Sequence, residues 1–210
     1  MMQKGSESNG QESQLTGAGK LAEEMWDQRF AELQCSDLPD PKLVELVEPL
    51  NPGRALDLGC GPGRNAIWLA HKGWQVTGVD ASSVGLAQAQ DRATLAGVEL
   101  ETVQFDVLSY RPKSKVDLIV IANIHLAEPE RTEFFLSAAE MLATDGHLYV
   151  AGHHLDDLGR TGPPDPERLY TVERLQDCFP DLKVLVLDKF QREIGNGLPP
   201  EHDVVVWAQK

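Results

Sequence analysis

The chain is short of positive charge: its 210 residues carry 19 Lys and Arg against 33 Asp and Glu, a net charge of −14. No nucleic-acid partner is expected, because binding a polyphosphate without a basic patch forfeits the dominant electrostatic term. A basic cluster for an inorganic oxyanion is missing as well. Cysteine is scarce; Cys35, Cys60 and Cys178 are scattered and odd in number, which excludes a disulfide framework. No apolar run approaches the ~20 residues that span a bilayer, and the N-terminus has no apolar signal core. No membrane partner is expected, and the cytoplasm is the expected compartment. Residues 1–20 hold almost nothing to bury and read as a disordered tail. Residues 21–210 are the right length for one domain with a sizeable core. No internal repeat is present.

Past the tail, Leu21, Ala22, Met25, Trp26, Phe30 and Leu33 recur at helical spacing. Asp40-Pro41 opens a second helix whose buried side is Leu43, Val44, Leu46 and Val47. Together residues 21–50 form N-terminal helices that either pack on the domain or cover a site. Beyond them strand and helix alternate. Strands are expected at Ala55–Leu58, Trp74–Val79, Val98–Phe105, Val116–Ala122 and His147–Gly152, and helices at Asn65–His71, Ser83–Ala96 and Glu128–Ala143. Such alternation predicts a doubly wound α/β fold, a mostly parallel sheet with helices on both faces. The end departs from that rhythm. A helix from Thr171 to Phe179 is followed by strands at Leu182–Phe190 and Asp203–Ala208 with only the Gly195–Pro200 loop between them, so these two strands must pair antiparallel and bring the sheet to seven.

Chemistry concentrates in Arg54-Ala-Leu-Asp-Leu-Gly-Cys-Gly-Pro-Gly-Arg-Asn65, a strand that breaks into a glycine turn and then a helix N-terminus. Without Cβ atoms, Gly59, Gly61 and Gly63 let a ligand approach main-chain N–H groups. A dinucleotide fingerprint needs its third glycine three residues after the second, and Arg64 stands there. Asp57, two residues before Gly59, would repel a pyrophosphate but suits a ligand bearing an ammonium and a sulfonium. Asp80 ends the second strand, where a doubly wound sheet places an acid for a ribose diol; it could instead simply cap the following helix.

The string Ala-Leu-Asp-Leu-Gly-Cys-Gly-Pro-Gly resembles the first motif of class I S-adenosylmethionine-dependent methyltransferases. That resemblance implies the Rossmann-like methyltransferase fold with its C-terminal antiparallel hairpin, S-adenosylmethionine as cofactor and a small-molecule acceptor. It implies a cofactor site from Asp57, Gly59, Cys60, Gly61, Gly63, Asn65, Asp80, Ala81, Ser82 and Asn123. Phe-Asp-Val at 105–107 resembles the motif whose acid, here Asp106, holds the adenine amino group while Val107 packs on the ring. The Trp26-Asp-Gln-Arg29-Phe string resembles an N-terminal lid helix, which would bring Trp26 and Arg29 to the substrate. Gly-Arg-Asn, Gly-Trp-x-Val-Thr-Gly-Val-Asp, Gly-His-His-x-x-Asp and Leu169-Tyr170-Thr171 are similar to the bacterial tellurite-resistance and thiopurine-type subgroup.

On the acceptor side, His125 follows the fourth strand and is the candidate general base, with a structural hydrogen bond as the alternative. His153, His154 and Asp156 follow the fifth strand and could bind the acceptor or only their own loop. Adjacent residues of an extended chain point opposite ways, so no metal site is assigned to them. Methyl transfer needs a base only when the acceptor must lose a proton. An NAD-dependent oxidoreductase and an inactive cofactor-binding protein stay open as alternatives, as do monomer and homodimer.

Overall fold

A computed structural model describes residues 15, 17–32, 35–193 and 199–210. Seven strands form one sheet: β1 (Arg54–Leu58), β2 (Gln75–Asp80), β3 (Glu101–Gln104), β4 (Val116–Ala122), β5 (Leu142–His153), β6 (Lys183–Arg192) and β7 (Glu201–Gln209), in the order β3-β2-β1-β4-β5-β7-β6. The pairs from β3 to β5 are parallel, and β7 runs antiparallel to both β5 and β6. The chain therefore reverses at β1, leaving the carboxyl ends of β1 and β4 side by side. A sheet wound outward from that point opens a crevice there.

Continuous apolar strands form because both faces are covered. Leu118, Ile119, Val120 and Ile121 of β4 are each fully buried. One face receives α2 (Pro41–Val47) and α3 (Arg64–His71), with Leu43, Val47 and Leu69 packed on Val120 and Tyr149. The other receives α5 (Glu130–Met141) and the short α6 (Val172–Leu175), with Phe134, Phe135 and Leu175 packed on Ile119 and Leu148. The remaining helices, α1 (Gly17–Glu32) and α4 (Ser83–Ala96), meet near the ends of β2 and β3. Asp40 caps α2 by accepting the Lys42 N–H at 2.9 Å, worth ~1 kcal/mol, with Pro41 in the first turn.

Several boundaries differ from the sequence reading. Helix α1 begins at Gly17 and Leu15 is buried, so the proposed tail does not extend to residue 20; residues 1–14 and 16 lie outside the described residues, as do Leu33 and part of the 195–200 loop. Strand β3 is shorter than Val98–Phe105 because the Val98 N–H is consumed in closing α4, donating to Ala93 O at 3.0 Å past the left-handed Gly97. Helix α6 stops at Leu175, where the chain turns so as to bury Cys178 and Phe179. Strand β5 starts five residues early, since Lys210 continues its pairing by donating to Gly146 O at 3.0 Å and accepting the Asp145 N–H at 3.1 Å.

Near the end of β5 the backbone is closely covered. A Cβ on Gly152 would lie 2.5 Å from Tyr170 Cε2 and 2.9 Å from His125 Cε1. Since Tyr170 is fully buried, Gly152→Ala is expected to cost at least the ~1–3 kcal/mol of an overpacked core. Urea unfolding checks this; a variant of unchanged stability would show that Tyr170 has room to retreat.

Candidate active site

The turn after β1 and the end of β2 are built as one unit. Gly59, Gly61 and Gly63 have φ of 75°, 49° and 84°, backbone that a side chain would strain. The Gly61 N–H donates to Asp80 Oδ2 at 2.8 Å, and the Ser82 N–H donates to Asp80 Oδ1 at 2.8 Å. Asp80 is buried. Burial pushes its carboxyl up, against the pull of those N–H donors. Ser82 is itself buried and caps α4 by accepting the Gly85 N–H at 2.9 Å. The cap of α4 is thus Ser82 and not Asp80.

Below the turn, Asp57 is buried and its carboxyl is pushed up to about 7, first by burial, then opposed by Arg64 and reinforced by Asp80. Cys60 fills space beneath Gly78, its Sγ 2.8 Å from where a Cβ on that glycine would stand. Burial and the two carboxylates push its thiol well up, so it is no nucleophile.

Helix α1 lies over the turn. Asp27 accepts from Ser82 Oγ at 2.5 Å, Ser83 Oγ at 3.0 Å and the Val84 N–H at 3.1 Å. These donors outweigh the raising effect of burial and hold its carboxyl below the ordinary value. The Phe30 ring sits on Gly61, where an added Cβ would be 2.9 Å from its Cζ, and on Gly85 beside it. Gln88 Nε2 holds Phe30 O at 3.0 Å, and Gln104 Nε2 holds Glu23 Oε1 at 2.7 Å and Ala81 O at 3.1 Å. Trp26 stacks on Phe30 at 5.4 Å between ring centroids. Arg29 is not brought to the turn; it is exposed, with its guanidinium 5.2 Å from the Trp26 ring.

Asp106 Oδ1 accepts the Leu108 N–H at 3.0 Å, which fixes the corner after β3, and Val107 beside it is half-buried against the core. Asn123, at φ 62°, turns the chain after β4 while its N–H donates to Ala151 O at 2.8 Å. Ile124 then packs over Gly59. Asn65 points elsewhere, its Oδ1 accepting the Asp40 N–H at 2.9 Å to tie α3 to the start of α2.

The residues present fit a ligand with a diol, an amino-bearing ring and positive charge. An ionised carboxylate has about four lone-pair sites; at Asp80 backbone N–H groups take two, which leaves capacity for a diol. Asp106 keeps a second oxygen at the corner beside Val107, and Asp57 with Asp80 makes the turn electronegative.

His125, read from the sequence as a candidate general base or a structural hydrogen bonder, is held among neighbouring groups. Its ring is buried; Nδ1 lies 3.0 Å from Arg168 O, which only an N–H can satisfy, and Nε2 faces the His153 N–H at 3.4 Å. Burial, helped by the charge of neighbouring His153, pushes it down to about 4. It stacks on His153 at 5.3 Å and 7° and leans on Tyr170 at 5.0 Å, joining the ends of β4 and β5 to the 166–170 segment. His153 Nδ1 lies 3.2 Å from Asp203 Oδ1. His154 and Asp156 turn away from it: His154 Nδ1 accepts the Asp156 N–H at 3.0 Å, and Asp156 pairs with Lys189 of β6. Among the described residues no group of three or more His, Cys, Asp or Glu converges as for a metal ion. The sequence reading passed over Asp27, Phe30, Ile124 and Asp203. Asp27 and Phe30 stood within the Trp-Asp-Gln-Arg-Phe string; Ile124 and Asp203 gave no signal, since their partners are tens of residues away.

A glycine turn after the first strand of a β3-β2-β1-β4-β5-β7-β6 sheet, joined to an acid at the end of the second, is a Rossmann-like arrangement. Residues 55–146 match the family described as methyltransferase domain. It is 34% identical over 116 residues to trans-aconitate 2-methyltransferase of Escherichia fergusonii, 53% of this chain and 44% of that protein. Over 81 residues it is 35% identical to ribosomal RNA small subunit methyltransferase C of Alcanivorax borkumensis, 37% of this chain and 25% of that protein. The chain thus spans less than half the length of these relatives. In fold it is similar to the N-methyltransferase NodS of Bradyrhizobium japonicum in complex with S-adenosylhomocysteine: TM-score 0.71, 17% identity, 90% of this chain and 98% of that one.

If His125 is a structural clamp, stability carries its signature. The folded ring stays neutral down to about pH 4, while the unfolded one gains its proton near 6.5. Its contribution is therefore full above pH 6.5 and lost as pH falls toward 4, at most ~1.4 kcal/mol per pH unit. Asp57 acts in the opposite sense over that range, so the reading is the variant against the parent. His125→Asn keeps a donor for Arg168 O; it is expected to flatten that part of the pH–stability curve while leaving turnover within a few-fold. A turnover loss of ~100-fold or more would restore the base.

Proposed function

We propose that the protein is an enzyme that binds S-adenosylmethionine across the glycine turn and passes its methyl group to a small-molecule acceptor by in-line displacement. The observation that carries this reading is the placement of Asp80, which grips the turn through the Gly61 N–H and still has lone pairs for a ribose diol. When bound, the cofactor supplies an electrophilic methyl group on a sulfonium. The chain's own tasks are to hold donor and acceptor in line and to keep water out. Asp106 and Val107 take the edge and face of the adenine, and Asp57 with Asp80 favours the cofactor's positive charges. Helix α1, anchored by Asp27 and seated through Phe30, covers the turn and excludes water. Trp26 reaches the site through Phe30, and His125 and His153 set the shape of the acceptor side rather than moving protons. No chain base is needed for an acceptor that is already a nucleophile.

A small-molecule acceptor is favoured over RNA by the net charge of −14. The same choice is supported by the likeness to trans-aconitate 2-methyltransferase, which acts on a small molecule. The finer likeness to tellurite-resistance and thiopurine-type enzymes rests on the Gly-Arg-Asn and Gly-His-His strings alone. A cytoplasmic setting suits three free cysteines, and no described helix is long and apolar enough to cross a membrane. One chain supplies every residue of the site, so a monomer or a homodimer would serve.

Calorimetric titration tests the cofactor directly. S-adenosylhomocysteine is expected to bind once per chain, with NAD giving no heat. Asp80→Asn should weaken that binding by ~5- to 150-fold, or ~1–3 kcal/mol, for hydroxyls left without an acceptor. Unchanged affinity in a folded variant would remove the ribose assignment, and an absence of binding by the parent would remove the whole reading.

A further inference from the structure

A cavity of about 390 Å³ lies between the start of α2 and the β6–β7 hairpin, outside the turn that holds the cofactor in the reading above. Its position ties it to the strand ends on two sides. Asp40, on its wall, donates its N–H to Asn65 in the first turn of α3, directly after the glycine turn. Asp203, on the opposite wall, faces His153 at the carboxyl end of β5. The cavity walls are thus joined by direct contacts to the first turn of α3 and to the carboxyl end of β5.

The lining is electronegative and partly aromatic. Four carboxylates, Asp40, Glu45, Glu193 and Asp203, stand against two cations, Lys42 and Arg192. Both cations are already matched: Lys42 Nζ bonds Glu45 at 2.7 Å, and Arg192 Nε bonds Asp203 Oδ2 at 2.8 Å while its Nη2 bonds Glu201 at 2.5 Å. Negative charge is thus left over at Asp40 and Glu193. Phe190 supplies a flat apolar wall, and Lys42 Nζ lies 4.4 Å from its ring centroid, so that face already accepts a cation.

We propose that this cavity is the acceptor site and that it selects a small organic amine that is cationic in water, with an aromatic or apolar body against Phe190 and Val205. An anionic acceptor such as a carboxylate would meet uncompensated Asp40 and Glu193. The inference rests on the methyltransferase reading. An ammonium has no lone pair, so the bound amine first releases its proton to solvent. Its lone pair then forms the N–C bond to the methyl group as the S–C bond breaks; the bonding pair passes to sulfur, leaving a neutral thioether, and the product nitrogen takes the positive charge.

Phenethylammonium and phenylacetate have similar bodies and opposite charges, so they separate the possibilities. Each is titrated into the full chain, with and without S-adenosylhomocysteine, while the backbone amide signals of Phe190, Gln191 and Val205 are followed by NMR. Phenethylammonium is expected to shift these signals saturably, with a dissociation constant at least tenfold below that of phenylacetate. Glu193→Lys, at an exposed position, should weaken it at least fivefold without changing affinity for S-adenosylhomocysteine. Equal or tighter binding of phenylacetate, no response to the amine, or shifts confined to other residues would overturn the proposal. If S-adenosylhomocysteine binds and the amine does not, the cavity assignment fails and the enzyme class stands. If the amine binds but S-adenosylhomocysteine does not, the acceptor role falls along with the methyltransferase reading.

Discussion

The carboxylate of Asp80 is the joint on which the working end of this molecule depends. One oxygen fixes the glycine turn through Gly61 and the other fixes the start of α4 through Ser82. Ser82 in turn caps α4 and bonds Asp27, so the covering helix α1 is tied to the same point. A buried carboxylate tolerates desolvation only when its lone pairs are met. Turn, cap and cover are thereby held in one geometry, and displacing any of them exposes the acid to an unmet cost.

A second, separate system fixes the other half of the sheet end. His125, His153 and Tyr170 stack where β4 and β5 finish, against a backbone kept bare by Gly152. Asp203 and Arg192 extend this cluster into the hairpin: burial lowers His125 to about 4, while Asp203, despite the raising effect of burial, is drawn down to about 2 by His153 and Arg192. Asp157, fully buried, accepts the His202 N–H and Arg160 and pins the 155–157 turn to the first residues of β7. The hairpin is therefore locked to the strand ends by charge as well as by backbone pairing, and the cavity it shares with α2 has walls fixed on both sides.

Residue order alone sufficed for the framework. Strand-and-helix alternation, the apolar run of β4 and the Asp40 and Gly97 punctuation are local signals, because period, cap and turn chemistry act within a few residues. The glycine turn and Asp80 were legible for the same reason: a positive φ and a strand-end acid are written in adjacent residues. What tertiary structure decided were roles set by partners far along the chain. His125 could be read as a base or as a structural hydrogen bonder, and its contact with Arg168, 43 residues away, exists only in the fold. Asn65 was drawn from the turn to Asp40, and Asp27 proved to be the anchor of α1 through serines more than 50 residues distant. The cavity beside the hairpin has no sequence signature at all, since its acids come from α2, β6 and β7 and meet only when the sheet closes. Local chemistry determined what the chain can fold into and the kind of ligand its turn admits; desolvation and long-range contacts, which exist only after folding, determined which side chains are left to act.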